Sequence, residues 1–448
     1  PHEDAITWQR GAALNSLTRD PGMRRRQKQS RRRQPPVEVT IDQLGGRGDG
    51  VAHNGESMLF VAGVLPGETV RVEPGSSRGR GQSARLLEVL EPSPLRQAPP
   101  CPHVGRCGGC QVQHSAPSFY AEWKRGLAID ALLRQDFDEA LVQPLESAPP
   151  ESRRRVRFAI ARKNQSHVPA FRQSRSHDTV AIETCLVADP SLMALARHAS
   201  AVLGPLGAKE IEATQTITGI DLMVLAPEHP DLAGIDAVQS LAEAQDLARI
   251  VWRSPGHPPY AVTERRQPML HSGGAEIVLP PGAFVQPTAW AEIRICDRLE
   301  SLLGDARHVA DLYAGCGVLG LSVAGGRRVE MFEADPAMAG AGRRGGELAG
   351  LSVQSAARDL DESPLGPNDL ERFDAVILDP PRTGALAQCE QLAGSSVATV
   401  AYVSCHPGTF ARDAAVLADS GYELMAVWPL DQFLWTHHLE LVGHFVRR

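Results

Sequence analysis

Nowhere in the 448 residues does an apolar run reach the roughly 18 residues that span a bilayer, so no membrane segment is expected. No charged n-region followed by an apolar h-region opens the chain, so secretion is not expected either. Cysteine is sparse, eight in all, with three inside ten residues. A secreted disulfide scaffold would be smaller and denser in cysteine. The expected compartment is therefore a reducing cytoplasm, where clustered thiols more often hold metal. Net positive charge is also missing. The formal balance is −7, which excludes a global pull toward polyanions and leaves such binding to local patches. What is present, 42% hydrophobic and 22% charged residues, describes a soluble globular protein of two to four domains.

Two patches carry the positive charge: RRRQKQSRRR at 24–33, and Arg153, Arg154, Arg155, Arg157, Arg162 and Lys163. Residues 1–35 have little apolar periodicity and are expected to be a disordered basic tail. The chain opens Pro-His, and Met23 reads as the natural start. From Val37 the texture changes. The runs VEVTI, MLFVAG, ETVRVE and ARLLEVLE alternate with Gly, Asn-Gly and Pro-Gly turns, predicting a small antiparallel barrel over 36–92. Barrels of this kind often bind oligonucleotides on one face. The Pro-rich stretch EPSPLRQAPPCP, Glu91 to Pro102, reads as a linker. Residues 93–275 mix patterns and are taken as a central α+β domain, with Ser118–Gln135 helical and RRRVRFAIARK a strand. Beyond a Pro-rich break at 253–259, residues 276–448 repeat strand, Gly-rich turn and helix, which predicts a doubly wound parallel sheet.

In that last segment a strand runs into a G-x-G turn at Gly315 and Gly317, whose glycines let backbone approach a ligand closely. Glu333 ends the next hydrophobic run, where an acid typically accepts hydrogen bonds from ribose hydroxyls, and Asp359 follows a third. A dinucleotide and S-adenosylmethionine both suit this pattern. Asp379-Pro380-Pro381-Arg382, directly after FDAVILD, tips the choice to S-adenosylmethionine, because a rigid acidic-Pro-Pro turn at a strand end can seat a planar base. Cys405 closes the run VATVAYVSC just before a helix starting near Thr409, and a helix dipole there favours thiolate. Glu440, among apolar residues on a final strand, can have a raised pKa and accept a proton. His437 and His438 could orient this pair or merely pack. Cys296 and Cys389 read as inert, and nothing points to chemistry at Cys316. Upstream, CPHVGRCGGC spaces Cys101, Cys107 and Cys110 as C-x5-C-x2-C, open to a disulfide, zinc or an iron–sulfur site.

Taken in order, C-x5-C-x2-C, the G-x-G loop, DPPR, SC-x-P and H-x-E resemble the RNA uridine-5-methyltransferases that carry an N-terminal TRAM domain, over roughly 37–448. The resemblance implies a TRAM β-barrel, a central domain with a [4Fe–4S] cluster and a C-terminal Rossmann-like methyltransferase domain. It implies cluster ligation by Cys101, Cys107, Cys110 and, from IETCLVADP, Cys185, with tetrathiolate zinc as the alternative. It implies S-adenosylmethionine contacts from Gln286, Tyr313, Gly315, Gly317, Glu333, Asp359 and Asp379. Three positions depart from the family pattern: Val318, Thr288 and Asp359 stand where asparagine is usual. Cys405 is implied as nucleophile toward carbon 6 of a flipped uracil and Glu440 as the base that takes the proton from carbon 5. The implied partner is RNA, ribosomal in preference to transfer RNA, and the implied state a monomer. Two other readings are cytosine-5 methylation of RNA and a non-catalytic iron–sulfur RNA-binding protein, which would not need Cys405 and Glu440 together.

Overall fold

The fold is taken from a computed structural model, which describes residues 34–448 apart from positions 56, 80, 175 and 177. The basic run at 24–33, the proposed start at Met23 and nearly all of the expected tail lie outside the described residues. Among the described residues no helix is long and apolar enough to cross a membrane.

Six strands between Val37 and Glu91 form the first sheet, and alternation buries Val39, Leu59, Val61, Val70 and Val72 on its inner side. Val37–Thr40 and Gln43–Leu44 stand at opposite ends of the strand order, yet only two residues separate them, so the sheet curls back on itself. One expectation fails here: Ser57–Ala62 pairs with Gly81–Glu91 in parallel, so the sheet is not purely antiparallel. Nor is the Pro-rich stretch after it a free linker. Arg96 donates to the fully buried Glu68 at 2.5 and 2.8 Å, and Ala116 N–H donates to Leu95 O at 2.7 Å. A buried carboxylate needs such a partner, and this one ties the segment to the barrel.

The middle sheet has seven strands between Arg155 and Glu264, covered by helices Pro190–Leu203 and Leu232–Ala244 over a core of Phe158, Leu192 and Trp252. The third sheet runs, in spatial order, Val353–Ala357, Arg328–Glu333, His308–Leu312, Ala375–Leu378, Thr399–Ser404, Glu440–Arg447, Tyr422–Asp431 and Glu146–Ser147. Its first five strands are parallel, as expected, but Glu440–Arg447 is antiparallel to both neighbours. Two central-domain expectations are corrected as well. Helix Pro117–Leu133 buries Ala128, Ala131 and Leu132 in the core of this third sheet, beside Leu378, Phe410 and Phe445. Glu146–Ser147 adds its edge strand. The stretch 117–147 thus belongs, by its buried surface and pairing, with the C-terminal half.

Candidate active site

Strand order reverses between His308–Leu312 and Ala375–Leu378, and the carboxyl ends beside such a switch point are where open α/β sheets bind ligands. Tyr313, Gly315, Gly317 and Asp379 all follow these two strand ends. Gly317 has φ +81°, and a Cβ there would lie 2.7 Å from Met331 Sδ, so a glycine is required. At Gly315, with φ +56°, a Cβ would meet only open space, which leaves the turn accessible to a ligand. The Glu333 carboxylate is fixed by two backbone donors, Gly315 N–H and Asp335 N–H, each at 2.9 Å, with lone pairs to spare for hydroxyls. Asp359 follows the third parallel strand, Val353–Ala357. Its Oδ1 accepts from Asp361 N–H at 3.0 Å and Glu362 N–H at 3.3 Å, capping its own turn, and Asp361 accepts from the Tyr313 hydroxyl at 3.1 Å. Behind the turn, Asp311 accepts from Gly320 N–H at 2.8 Å while its Oδ1, fully buried, has no partner. Burial pushes its carboxyl up to about 8.

Cys405 follows the strand Thr399–Ser404, and Glu440 opens the antiparallel strand beside it; Ser404 pairs with Leu441. That register sets the two side by side although 35 positions separate them in sequence. Both feel Asp379 and Arg382. Burial pushes the Glu440 carboxyl up to about 8, with Asp379 adding and Gln432 and Arg382 opposing. Burial pushes Asp379 up to about 7. The Cys405 thiol rises to about 11 by burial, with Glu440 and Asp379 adding. The expected helix effect on Cys405 is therefore outweighed: the helix is Pro407–Asp419, two residues earlier than expected, and His406 caps it by accepting from Thr409 N–H at 3.2 Å. The resting thiol is protonated, flanked by carboxyls that can take its proton.

Sequence reading missed Gln432. It is 1% exposed and its Nε2 donates both to Glu440 Oε2 at 2.8 Å and to Gln286 Oε1 at 2.9 Å, while its own Oε1 has no partner. One amide thus links Glu440 to Gln286. Gln432 sits inside LDQFLWTHHLE, but nothing in its local pattern marks it, since Gln286 lies 146 positions away. Its loop is anchored by a buried set: Tyr120 O–H donates to Asp431 at 2.5 Å, Lys124 pairs with Asp431 and donates to Phe433 O at 2.9 Å, and Trp435 N–H donates to the Tyr120 hydroxyl at 2.7 Å.

The same loop reaches the thiol cavity. Cys101, Cys107, Cys110 and Cys185 all line one space of about 950 Å³, together with His437 and Arg153. All four thiols are free; Cys110 feels the other three and Cys107 feels Cys101 and Cys185. Burial raises both, Cys110 to about 12. No three His, Cys, Asp or Glu side chains among the described residues close around an ion-sized point. The cysteine loop donates from Gln111 and Val112 N–H to Trp435 O at 2.7 and 3.1 Å. One loop, Gln432–His437, thus touches both the cavity and Glu440. His437 lines the cavity and His438 packs edge-on to Phe433, its ring kept neutral by burial, which lowers it to about 4. In the basic cluster at 153–163, Arg153, Arg154 and Arg155 are half-buried, while Arg157, Arg162 and Lys163 are exposed. Arg154 pairs with Glu292 at 2.5 Å and donates to Gln286 O at 3.1 Å, and Arg155 and Arg157 share Glu212. Cys389 is fully buried, and the Cys316 thiol is raised to about 12 by burial.

Comparison with known proteins gives a consistent set. Residues 365–448 match the family described as tRNA (Uracil-5-)-methyltransferase. An RNA methyltransferase of Caulobacter vibrioides is 38% identical over 425 residues, covering 92% of this chain and 100% of that protein. The 23S rRNA (uracil(1939)-C(5))-methyltransferase RlmD of Pectobacterium atrosepticum is 32% identical over 437 residues, covering 92% of this chain and 93% of that one. Among solved structures, the Pyrococcus abyssi tRNA (uracil-54, C5)-methyltransferase with S-adenosyl-L-homocysteine superposes with a TM-score of 0.72 at 21% identity, covering 91% and 99% of the two chains, and so shares the fold.

Proposed function

The chain belongs to the RNA uracil-5 methyltransferase family, S-adenosylmethionine-dependent enzymes, and from that premise we propose that it methylates carbon 5 of a uridine in 23S-type ribosomal RNA, in a reducing cytoplasm, by covalent catalysis through Cys405. The observation that carries the covalent step is the grouping of Cys405, Glu440 and Asp379 at one sheet edge, with both carboxyls pushed toward neutrality. Ribosomal RNA is favoured by the relative that covers nearly the whole chain; the transfer-RNA reading rests on the family description matched at 365–448.

Bound S-adenosylmethionine supplies an electrophilic methyl group. The open Gly315 turn and the anchored Glu333 carboxylate fit its adenosine, with Tyr313 beside them. Carbon 5 of uracil is a poor nucleophile on its own. Cys405 Sγ loses its proton to a neighbouring carboxylate and adds to carbon 6, which moves an electron pair toward carbon 5. Carbon 5 takes the methyl group. Glu440, ionised, then removes the proton from carbon 5, and the carbon 6–sulfur bond breaks to return the thiolate. Gln432 holds Glu440 and Gln286 in register for these transfers. The target uridine must leave its stack to reach a strand-end site of this kind.

The four thiols fit a [4Fe–4S] cluster: they are free, they line one cavity, and burial raises the Cys107 and Cys110 thiols, which a bound cation would offset. Such a cluster supplies a structural tie across the cysteine loop, and no chemical step runs through it. Iron and zinc analysis of anaerobically purified protein separates it from tetrathiolate zinc. The test of function is Glu440→Gln with ribosomal RNA fragments: a covalent protein–RNA adduct should survive a denaturing gel. Normal turnover with no adduct would refute the covalent reading. Mass spectrometry of the digested product separates 5-methyluridine from 5-methylcytidine.

A further inference from the structure

A cleft of about 580 Å³ opens at one end of the middle sheet and shares only Arg157 with the thiol cavity. Three chain segments form its floor. Lys209 N–H donates to Leu225 O at 2.9 Å, and Ala226 N–H donates to Arg253 O at 3.1 Å, so Lys209 and Arg253 flank the end of the strand Gly219–Leu225. Both side chains are exposed, and neither has a carboxylate partner among the described residues. The acid on the rim, Glu210, is engaged by Arg172 at 2.7 Å. Ser254, 4% exposed, lines the same cleft, and its hydroxyl has no partner. A buried hydroxyl without a partner costs stability, roughly 1–3 kcal/mol, so its retention here points to a ligand.

We propose that this cleft is a second contact for the phosphodiester backbone of the RNA, an inference that rests on the RNA substrate read above. Neighbouring strands lie about 4.8 Å apart, so two cations on strands flanking a third are roughly 10 Å apart. That exceeds one phosphate group and lets the two long side chains reach separate phosphates of one chain. Beside Leu225, Ala226 and Pro227 the lining holds one aromatic ring, His257, which packs edge-on against His229, and no Phe, Tyr or Trp. Arg157 lines both this cleft and the thiol cavity, and it shares the single acid Glu212 with Arg155, leaving an excess of positive charge between the two spaces. Arg157 is therefore a basic point common to the two spaces, between Arg153 in the thiol cavity and Lys209 and Arg253 in the cleft.

The test uses the full chain with K209E/R253E and, as the milder pair, K209Q/R253Q. Both side chains are exposed and unpaired, so melting temperature should hold. Binding is read by filter retention across a salt series, using a minimal hairpin around the target uridine and a longer ribosomal fragment. The longer fragment should lose affinity about tenfold or more, and the salt slope should fall by about 1.4, two contacts at ~0.7 each. The hairpin should keep its affinity and its methylation rate. Unchanged slope and affinity on the longer fragment would overturn the proposal and leave the cleft to another anion. Failure of wild-type protein to methylate any RNA would instead strike the catalytic reading, because the binding series does not depend on turnover.

Discussion

The catalytic edge and the thiol cavity solve one problem in opposite ways. Each gathers groups that become anionic when they act, and each buries them. At the edge, burial raises the pKa of Cys405, Glu440 and Asp379, and strand register and one amide hold them in place. In the cavity, Cys101, Cys107 and Cys110 sit on a loop that has no ladder of its own. That loop is held from outside, by the Cys107–Gln173 bridge, by Gly108 N–H to Arg172 O and by the two bonds to Trp435 O. Groups that must change protonation are fixed by sheet. Groups suited to a permanent cation are left to loops that a cation can finish ordering. The Gln432–His437 loop joins the two regions.

The sharpest way to break the comparison is Cys405→Ala. Methyl transfer should fall by roughly 10⁴-fold or more while S-adenosylmethionine binding, followed by calorimetry, is kept. Retained turnover would remove the edge from the chemistry. Cys185→Ser should act only on the other region: iron should drop from about four per chain toward none, with a lower melting temperature. If iron content is unchanged, Cys185 is not a ligand. The link between the regions is tested by Gln432→Leu, which strands Gln286 Oε1 and Glu440 Oε2. Here kcat should fall about 10- to 100-fold, and the pH limb of kcat/KM should move upward, because the Gln432 bond holds the Glu440 pKa down. A loss with no shift in the limb would mean simple damage to packing.

The smallest effect is thermodynamic. Folding raises the Glu440 pKa from 4.5 to about 8, so the folded state holds that proton more tightly. The stabilisation is complete below pH 4.5 and is lost as pH climbs through about 8, by up to ~1.4 kcal/mol per unit. Thermal melts of wild type and Glu440→Gln should therefore diverge over that window in favour of the variant. Parallel curves would show that Glu440 is not raised. In turnover, kcat/KM of the wild type should rise with pH to about 8, as the base ionises.

Local pattern carried much of this fold. Alternation marked the strands at Val37–Thr40 and Arg155–Lys163, and apolar periodicity marked the helix Pro117–Leu133. Glycine and proline punctuation marked the turns after His308–Leu312 and Ala375–Leu378. The same reading failed wherever the answer lay in a partner far along the chain. It could not see that Pro117–Leu133 packs on Phe410 and Phe445, that Ser57–Ala62 runs parallel to its neighbour, or that Arg154 spends its charge on Glu292.

What the sequence determined by itself is the chemistry on offer: thiols, carboxyls, glycines and turns in an order that matches one family, because bond geometry and residue type act over a few positions. Tertiary structure decided which of these groups meet and in what state of charge. The Cys405 thiol is kept protonated by burial and by carboxyls brought from two other strands. Gln432 reaches Gln286 only across the folded molecule. Dielectric and proximity depend on three-dimensional neighbours, and no local stretch of residues encodes those.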